Sequence, residues 1–264
     1  MPARQSVTVR GHKIAYYEAG QGSPVILIHG LGADSRHWAA NIGPLSRRFR
    51  AIAVDLIGYG QSDKPLMRYT PANFAEYMRG FLQAIGVPKA SLVGNSLGGW
   101  VALELAIRHP QMVDKLVLVD SAGLRPTEGL KLPPGGLRSL TPTNARWFFD
   151  LMQANKAWAT IDLGPESFER HVRNGDSYTM ASTVAEIITG HNFEDKRLGK
   201  VHAPTLIVWG RDDLLIPLYM GEALHRGIAG SQMTIIDGTG HIPMVGKPAE
   251  FNEAVANFLS ASPQ

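Results

Sequence analysis

The stretch Gly94-Asn95-Ser96-Leu97-Gly98 places one serine between two glycines. The apolar run Ala90–Val93 comes just before it, and a helical pattern comes just after. A strand that turns at once into a helix forces the serine into a strained backbone conformation. Glycines on either side remove side chains that would clash in so sharp a turn. The hydroxyl is then lifted above the carboxyl end of the strand, where it can attack an electrophilic carbon. The next backbone N–H, on Leu97, points at the same place, and the positive end of the helix favours an anion there. Ser96 is the candidate nucleophile, and Leu97 is a candidate oxyanion donor.

A serine hydroxyl needs a base. Of the nine histidines, His241 lies in Asp237-Gly238-Thr239-Gly240-His241-Ile242-Pro243, a loop between the last apolar strand and the last helical pattern. Such a loop can carry an imidazole to Ser96; His12, His37, His109, His171, His191, His202 and His225 read as surface residues. The base in turn needs a carboxylate that fixes its tautomer and stabilises the imidazolium. Three aspartates follow apolar strands: Asp120, and the pair Asp212-Asp213. A second oxyanion donor is available in His29-Gly30-Leu31-Gly32, where glycines let the backbone approach a substrate and offer the Leu31 N–H. A dinucleotide-binding G-x-G-x-x-G reading of that stretch fails, because Ser35 stands at the third glycine position.

Chemistry of this kind needs a frame that brings distant loops to one edge. Short apolar runs, most of them ending in glycine, recur at 25–30, 51–58, 90–94, 115–120 and 205–210, with a last run at 232–236. Near-continuous Val/Ile/Leu runs predict strands buried on both faces of a parallel sheet. Helical patterns over Ala72–Ile85, Gly98–His109 and Pro248–Phe258 alternate with them. Ser6–Val9 and Lys13–Glu18 predict an antiparallel hairpin around Gly11-His12. From Gly123 to Gly190 the rhythm breaks. A loop rich in Pro and Gly opens this stretch. Helical patterns follow near Pro142–Asn155, Pro165–Asn174 and Ser177–Thr189, which predict a helical insertion over the sheet. The expected organisation is a core of residues 1–122 and 191–264 with a lid of residues 123–190.

The totals narrow the field further. The chain has 264 residues, 44% hydrophobic and 19% charged, enough for a large core without staples. With no cysteine, disulfides, thiolate metal sites and cysteine nucleophiles are excluded. The net charge of +3 is scattered, with no run of like charges, so neither nucleic acid nor a membrane surface is an expected partner. No apolar run has the length of a membrane span or of a signal peptide. The expectation is a soluble, cytoplasmic protein; its oligomeric state is not readable.

Together, the loop at 29–32, the serine turn and the loop at 240–243 resemble the α/β-hydrolase family nearly end to end, in the chain order Ser…Asp…His that this family uses. The resemblance implies an α/β fold with an eight-stranded, mostly parallel sheet flanked by helices and a helical cap after the sixth strand. It also implies the acid. Gly210-Arg211-Asp212-Asp213 with Pro217 is similar to the family pattern after the seventh strand, which makes Asp213 the expected triad member and Asp212 a turn residue. Asp120 stands at the alternative acid position of some members. A serine at residue 96 points to acyl chemistry, whereas members that open epoxides or displace halides carry an aspartate there. No metal or organic cofactor is called for.

The resemblance also frames the substrate question. Asn95 stands where many family esterases have histidine. Asn at this place is similar to the carbon–carbon bond hydrolases of meta-cleavage products. Those tend to carry a tryptophan soon after the histidine and a cap arginine for the substrate carboxylate, and here Ile242 follows His241. Among the cap residues, Trp147, Phe148 and Met152 suggest an apolar pocket wall, joined by Gly30, Asn95 and Ile242. The expectation is a serine hydrolase of modest-sized, fairly apolar carboxylic esters. A carbon–carbon hydrolase of dienones is the alternative, and a ligand receptor with slow turnover is the second.

Overall fold

The computed structural model describes residues 1–127, 169, 173–189 and 193–261. Eight strands form one sheet in the order β1-β2-β4-β3-β5-β6-β7-β8. They are β1 (Arg4–Val9), β2 (His12–Ala19), β3 (Pro24–Ile28), β4 (Arg50–Val54), β5 (Ala90–Asn95), β6 (Val113–Val119), β7 (Thr205–Gly210) and β8 (Gln232–Ile236). Pairings are antiparallel for β1 with β2 and for β2 with β4, and parallel for all others. The parallel strands β3 to β7 are buried almost throughout, as their unbroken apolar runs require. The hairpin turns at Arg10-Gly11, one residue earlier than expected. Both residues have positive φ (50° and 81°), the geometry of a tight turn whose twist matches its strands, so His12 begins β2.

The helices cover both faces. α2 (Pro71–Ala84) and α3 (Leu97–Arg108) pack on one core, with Phe74, Phe81, Leu92, Val101 and Trp209 among its buried members. α1 (Ala39–Ser46) and the last helix Pro248–Ser260 pack on the other, around Leu27, Trp38, Val93, Val208 and Phe251. Side chains of alternate parity along each strand feed the two cores, which is the two-residue period of a sheet covered on both sides. α1 contains Gly43 and Pro44, so its sequence gave no helical signal.

The expected cap falls largely outside the described residues, including the helices anticipated near Pro142–Asn155 and most of Pro165–Asn174. Its last expected helix is present as α4 (Ser177–Thr189). α4 docks on the loop after β4. Tyr59 Oη and Thr183 Oγ1 lie 3.2 Å apart, the Tyr69 N–H donates to Ser182 Oγ at 3.1 Å, and Arg68 pairs with Glu186 at 2.7 Å.

Candidate active site

β5 ends at Asn95 and α3 begins at Leu97, so Ser96 alone makes the turn. Its backbone is held at φ 55°, ψ −118°, outside the regions favoured by non-glycine residues. Such strain persists only where the surroundings over-determine it. Here the Ser96 N–H donates to Val119 O at 3.0 Å, and its carbonyl accepts from Trp100 N and Ala122 N, each at 3.1 Å. The flanking glycines have a packing reason. A Cβ on Gly94 would strike the Gly98 carbonyl, and one on Gly98 would strike the carbonyls of Ile28 and His29. The helix start is thus pressed against the end of β3. Ser96 keeps partial exposure among fully buried neighbours.

The same closeness places the two expected oxyanion donors. A Cβ on Gly30 would lie 3.1 Å from the Ser96 Cβ, so the loop after β3 runs directly over the serine. The His29 side chain is buried and fixes that loop. Its Nε2 accepts from the Leu56 N–H at 3.0 Å, so the ring proton sits on Nδ1, which donates to the Gly30 carbonyl at 2.8 Å. Desolvation holds the His29 pKa below its ordinary value, which keeps the ring neutral. The Ala33 N–H also donates to the Gly30 carbonyl, at 3.2 Å. With that carbonyl pinned on one edge of a planar peptide, the Leu31 N–H is fixed on the other. Leu97, first residue of α3, has an N–H with no acceptor inside the helix. This loop-fixing part of His29 was not read from the sequence. Its signal was its place next to Gly30.

Asp213 and His241 come together as their loops predict. His241 Nδ1 and Asp213 Oδ2 are 2.7 Å apart, with residue exposures of 2% and 5%. The other Asp213 oxygen accepts from the N–H groups of Leu215 (2.8 Å) and Ile216 (2.9 Å). Those donors turn the carboxylate toward the imidazole and support its charge. With Nδ1–H donated to Asp213, Nε2 is left to act as base. The two loops are tied by the Asp212 N–H, which donates to Thr239 O at 3.1 Å, while Asp212 itself is exposed. No hydrogen bond joins Ser96 Oγ to His241. This contact commonly tightens only when substrate is bound. Asp120 accepts from the Gly210 N–H at 3.0 Å and makes no hydrogen bond to His241, so Asp213 is the carboxylate bonded to the imidazole.

Two expected pocket residues are placed otherwise. Asn95 is 1% exposed, and its amide donates to the main-chain oxygens of His241 (3.0 Å) and Val119 (3.2 Å). Ile242 packs in the core with Phe251 and Met244. Both support the site rather than line a pocket: the amide hydrogens of one are spent on main chain, and the other faces the core. Trp147, Phe148 and Met152 lie outside the described residues. Asp120, Asp213 and His241 bring donor atoms within 4.8 Å of one another, which would suit a small cation. His241 Nδ1 and both Asp213 oxygens are already held in hydrogen bonds within the chain.

The fold and this constellation define a class. Residues 23–248 match the family described as alpha/beta hydrolase fold, and the chain belongs to that family. It is 30% identical over 94% of its length to a 2-hydroxy-6-oxononadienedioate/2-hydroxy-6-oxononatrienedioate hydrolase of Paraburkholderia xenovorans, covering 91% of that protein. The solved structure of a bacterial membrane phospholipase A superposes with a TM-score of 0.88 at 31% identity, covering 97% of this chain and 85% of that one. A meta-cleavage product hydrolase from Pseudomonas fluorescens superposes with a TM-score of 0.87 at 27% identity, over 97% of both chains. Among the described residues, no helix is long and apolar enough to cross a membrane.

Proposed function

We propose that the protein is a serine hydrolase that cleaves carboxylic esters of modest size and fairly apolar character. His241, oriented by Asp213, takes the proton from Ser96 as its oxygen attacks the ester carbonyl. The Leu31 and Leu97 N–H groups receive the oxyanion, each such donor being worth about a hundred- to a thousand-fold in rate. His241 then protonates the leaving alcohol. Water activated by the same base releases the acid and restores the serine. The observation that carries this reading is the buried Asp213–His241 pair, its proton-bearing nitrogen fixed, beside a strained serine turn with preset N–H donors.

The ester reading is favoured over carbon–carbon cleavage by the residues after His241. Ile242-Pro243-Met244-Val245 stands where the dienone hydrolases tend to carry a tryptophan. The second reading, a carbon–carbon bond hydrolase, is favoured by the relatives at about 30% identity whose names carry that activity. A panel of short and long acyl esters, aryl esters and a meta-cleavage dienone tests the choice. The ester reading expects many turnovers on esters and a much smaller kcat/KM on the dienone; the reverse order would replace it. Ligand-dependent melting without multiple turnover would mean a receptor.

A further inference from the structure

Beside Asp213 stands a second carboxyl group that the reaction as written does not use. Asp120 follows β6, is fully buried, and holds a left-handed backbone (φ 42°) that few residues other than Asp, Asn and Gly adopt readily. Its N–H donates to Val208 O, and its Oδ1 accepts from the Gly210 N–H, each at 3.0 Å. Its Oδ2 is buried and no donor reaches it. A carboxyl oxygen of Asp120, one of Asp213 and a ring nitrogen of His241 fall within 4.8 Å of one another.

Two ionised carboxylates so close together in a dry site repel strongly, and one retains its proton. The donors decide which. Asp213 has two backbone N–H groups and the His241 ring supporting its charge. Asp120 has one backbone N–H and an idle oxygen. An idle oxygen that carries a proton becomes a donor, and the acceptor beside it is the Asp213 carboxylate.

We propose that Asp120 carries a proton and donates it in a hydrogen bond to Asp213, acting as a positioning residue that steadies the acid and moderates the basicity of His241. The proposal rests on the Ser96–His241–Asp213 reading above. Burial, and then the Asp213 charge, push the Asp120 carboxyl well above the usual carboxylate range, in the same direction. His241 is the other titratable group facing the pair. Asn fits the same place, since it tolerates the left-handed backbone. Its amide oxygen can accept from Gly210 and its amide hydrogens can donate to Asp213.

The test is the pH profile of kcat/KM on a nitrophenyl ester for wild type, Asp120→Ala and Asp120→Asn. Asp120→Ala is expected to lose roughly tenfold, the worth of one charge-assisted hydrogen bond. Its acid limb should move to higher pH, because Asp213 without that donor holds the His241 proton more tightly. Asp120→Asn is expected to restore activity to within about threefold and leave the limb in place. If Asp120 were ionised, both substitutions would remove a negative charge and both would move the limb to lower pH; that result overturns the proposal. Infrared spectra of the resting protein give a readout independent of activity. Glu194 is a second buried carboxyl raised to about 8, so the spectra are taken in the Glu194→Gln background. A protonated-carboxyl band at neutral pH is expected there and is lost when Asp120→Asn is added, and its absence from Glu194→Gln overturns the proposal as well. Failure of the underlying triad reading looks different: Ser96→Ala or Asp213→Asn would keep full activity while the band persists.

Discussion

The side-chain amide of Asn95 donates to the main-chain oxygen of His241 at 3.0 Å. The residue just before the nucleophile thus holds the loop that carries the base. Its second amide hydrogen goes to Val119 O, in the strand next door. Asn95 joins the serine turn to the histidine loop.

Asn95→Ala should therefore lower kcat about tenfold with little change in KM, because it loosens the base and leaves the buried His241 carbonyl without its donor, Val119 O keeping the Ser96 N–H. The loss should be the same for short and long acyl esters. Steady-state kinetics on a chain-length series check this. A KM that rises sharply for one substrate and not the others would make Asn95 a substrate contact instead.

Asp213→Asn should cost about a thousand- to ten-thousand-fold in kcat, since an amide cannot stabilise the imidazolium and favours the wrong tautomer. Asp212→Asn, at an exposed turn position, should leave kcat within about twofold. Parallel assays of the two variants check the assignment of adjacent aspartates.

Gly98→Ala tests the packing that creates the turn. The added methyl would meet the Ile28 and His29 carbonyls, which belong to the end of β3 and cannot move like a side-chain tip. A loss of about 1–3 kcal/mol or more is expected, with activity falling in step. Denaturant unfolding monitored by Trp fluorescence measures it. Gly43→Ala, where a Cβ meets nothing inside α1, is the control and should be neutral to stabilising by up to about 1 kcal/mol.

Behind α3, a second buried carboxyl pair makes stability depend on pH. Glu194 and Glu104 are both buried, and Arg197 Nη1 lies 2.9 Å from each. Burial, and then the Glu104 side chain through its hydrogen bond and its charge, raise the Glu194 pKa to about 8 from 4.5. The native state therefore holds a proton that the unfolded chain has released. The stability this contributes is full below pH 4.5 and is lost as pH rises through about 8. Thermal melts should show the midpoint falling between pH 6 and 9, and Glu194→Gln should flatten that slope.

The sequence carried the frame well because strands buried on both faces leave unbroken apolar runs, and β3 to β7 were legible that way. The serine, the histidine and the aspartate were legible because each follows a strand or ends a glycine loop. What escaped was whatever depends on contact between loops distant in the chain. The roles of Asn95 and His29 lie in hydrogen bonds to main-chain atoms across the site, and no local pattern encodes them. Ile242 read as a pocket residue from its place next to His241, yet the turn after it sends its side chain into the core. The helix Ala39–Ser46 was hidden by its own Gly43 and Pro44, and packing against the last helix compensates for their low propensity.

The most direct measurement is Ser96→Ala assayed against a nitrophenyl ester, with a thermal melt on the same sample. Ester turnover should fall by at least about a thousand-fold while the melting midpoint stays within a few degrees of wild type. Undiminished turnover in a folded Ser96→Ala protein would contradict the account.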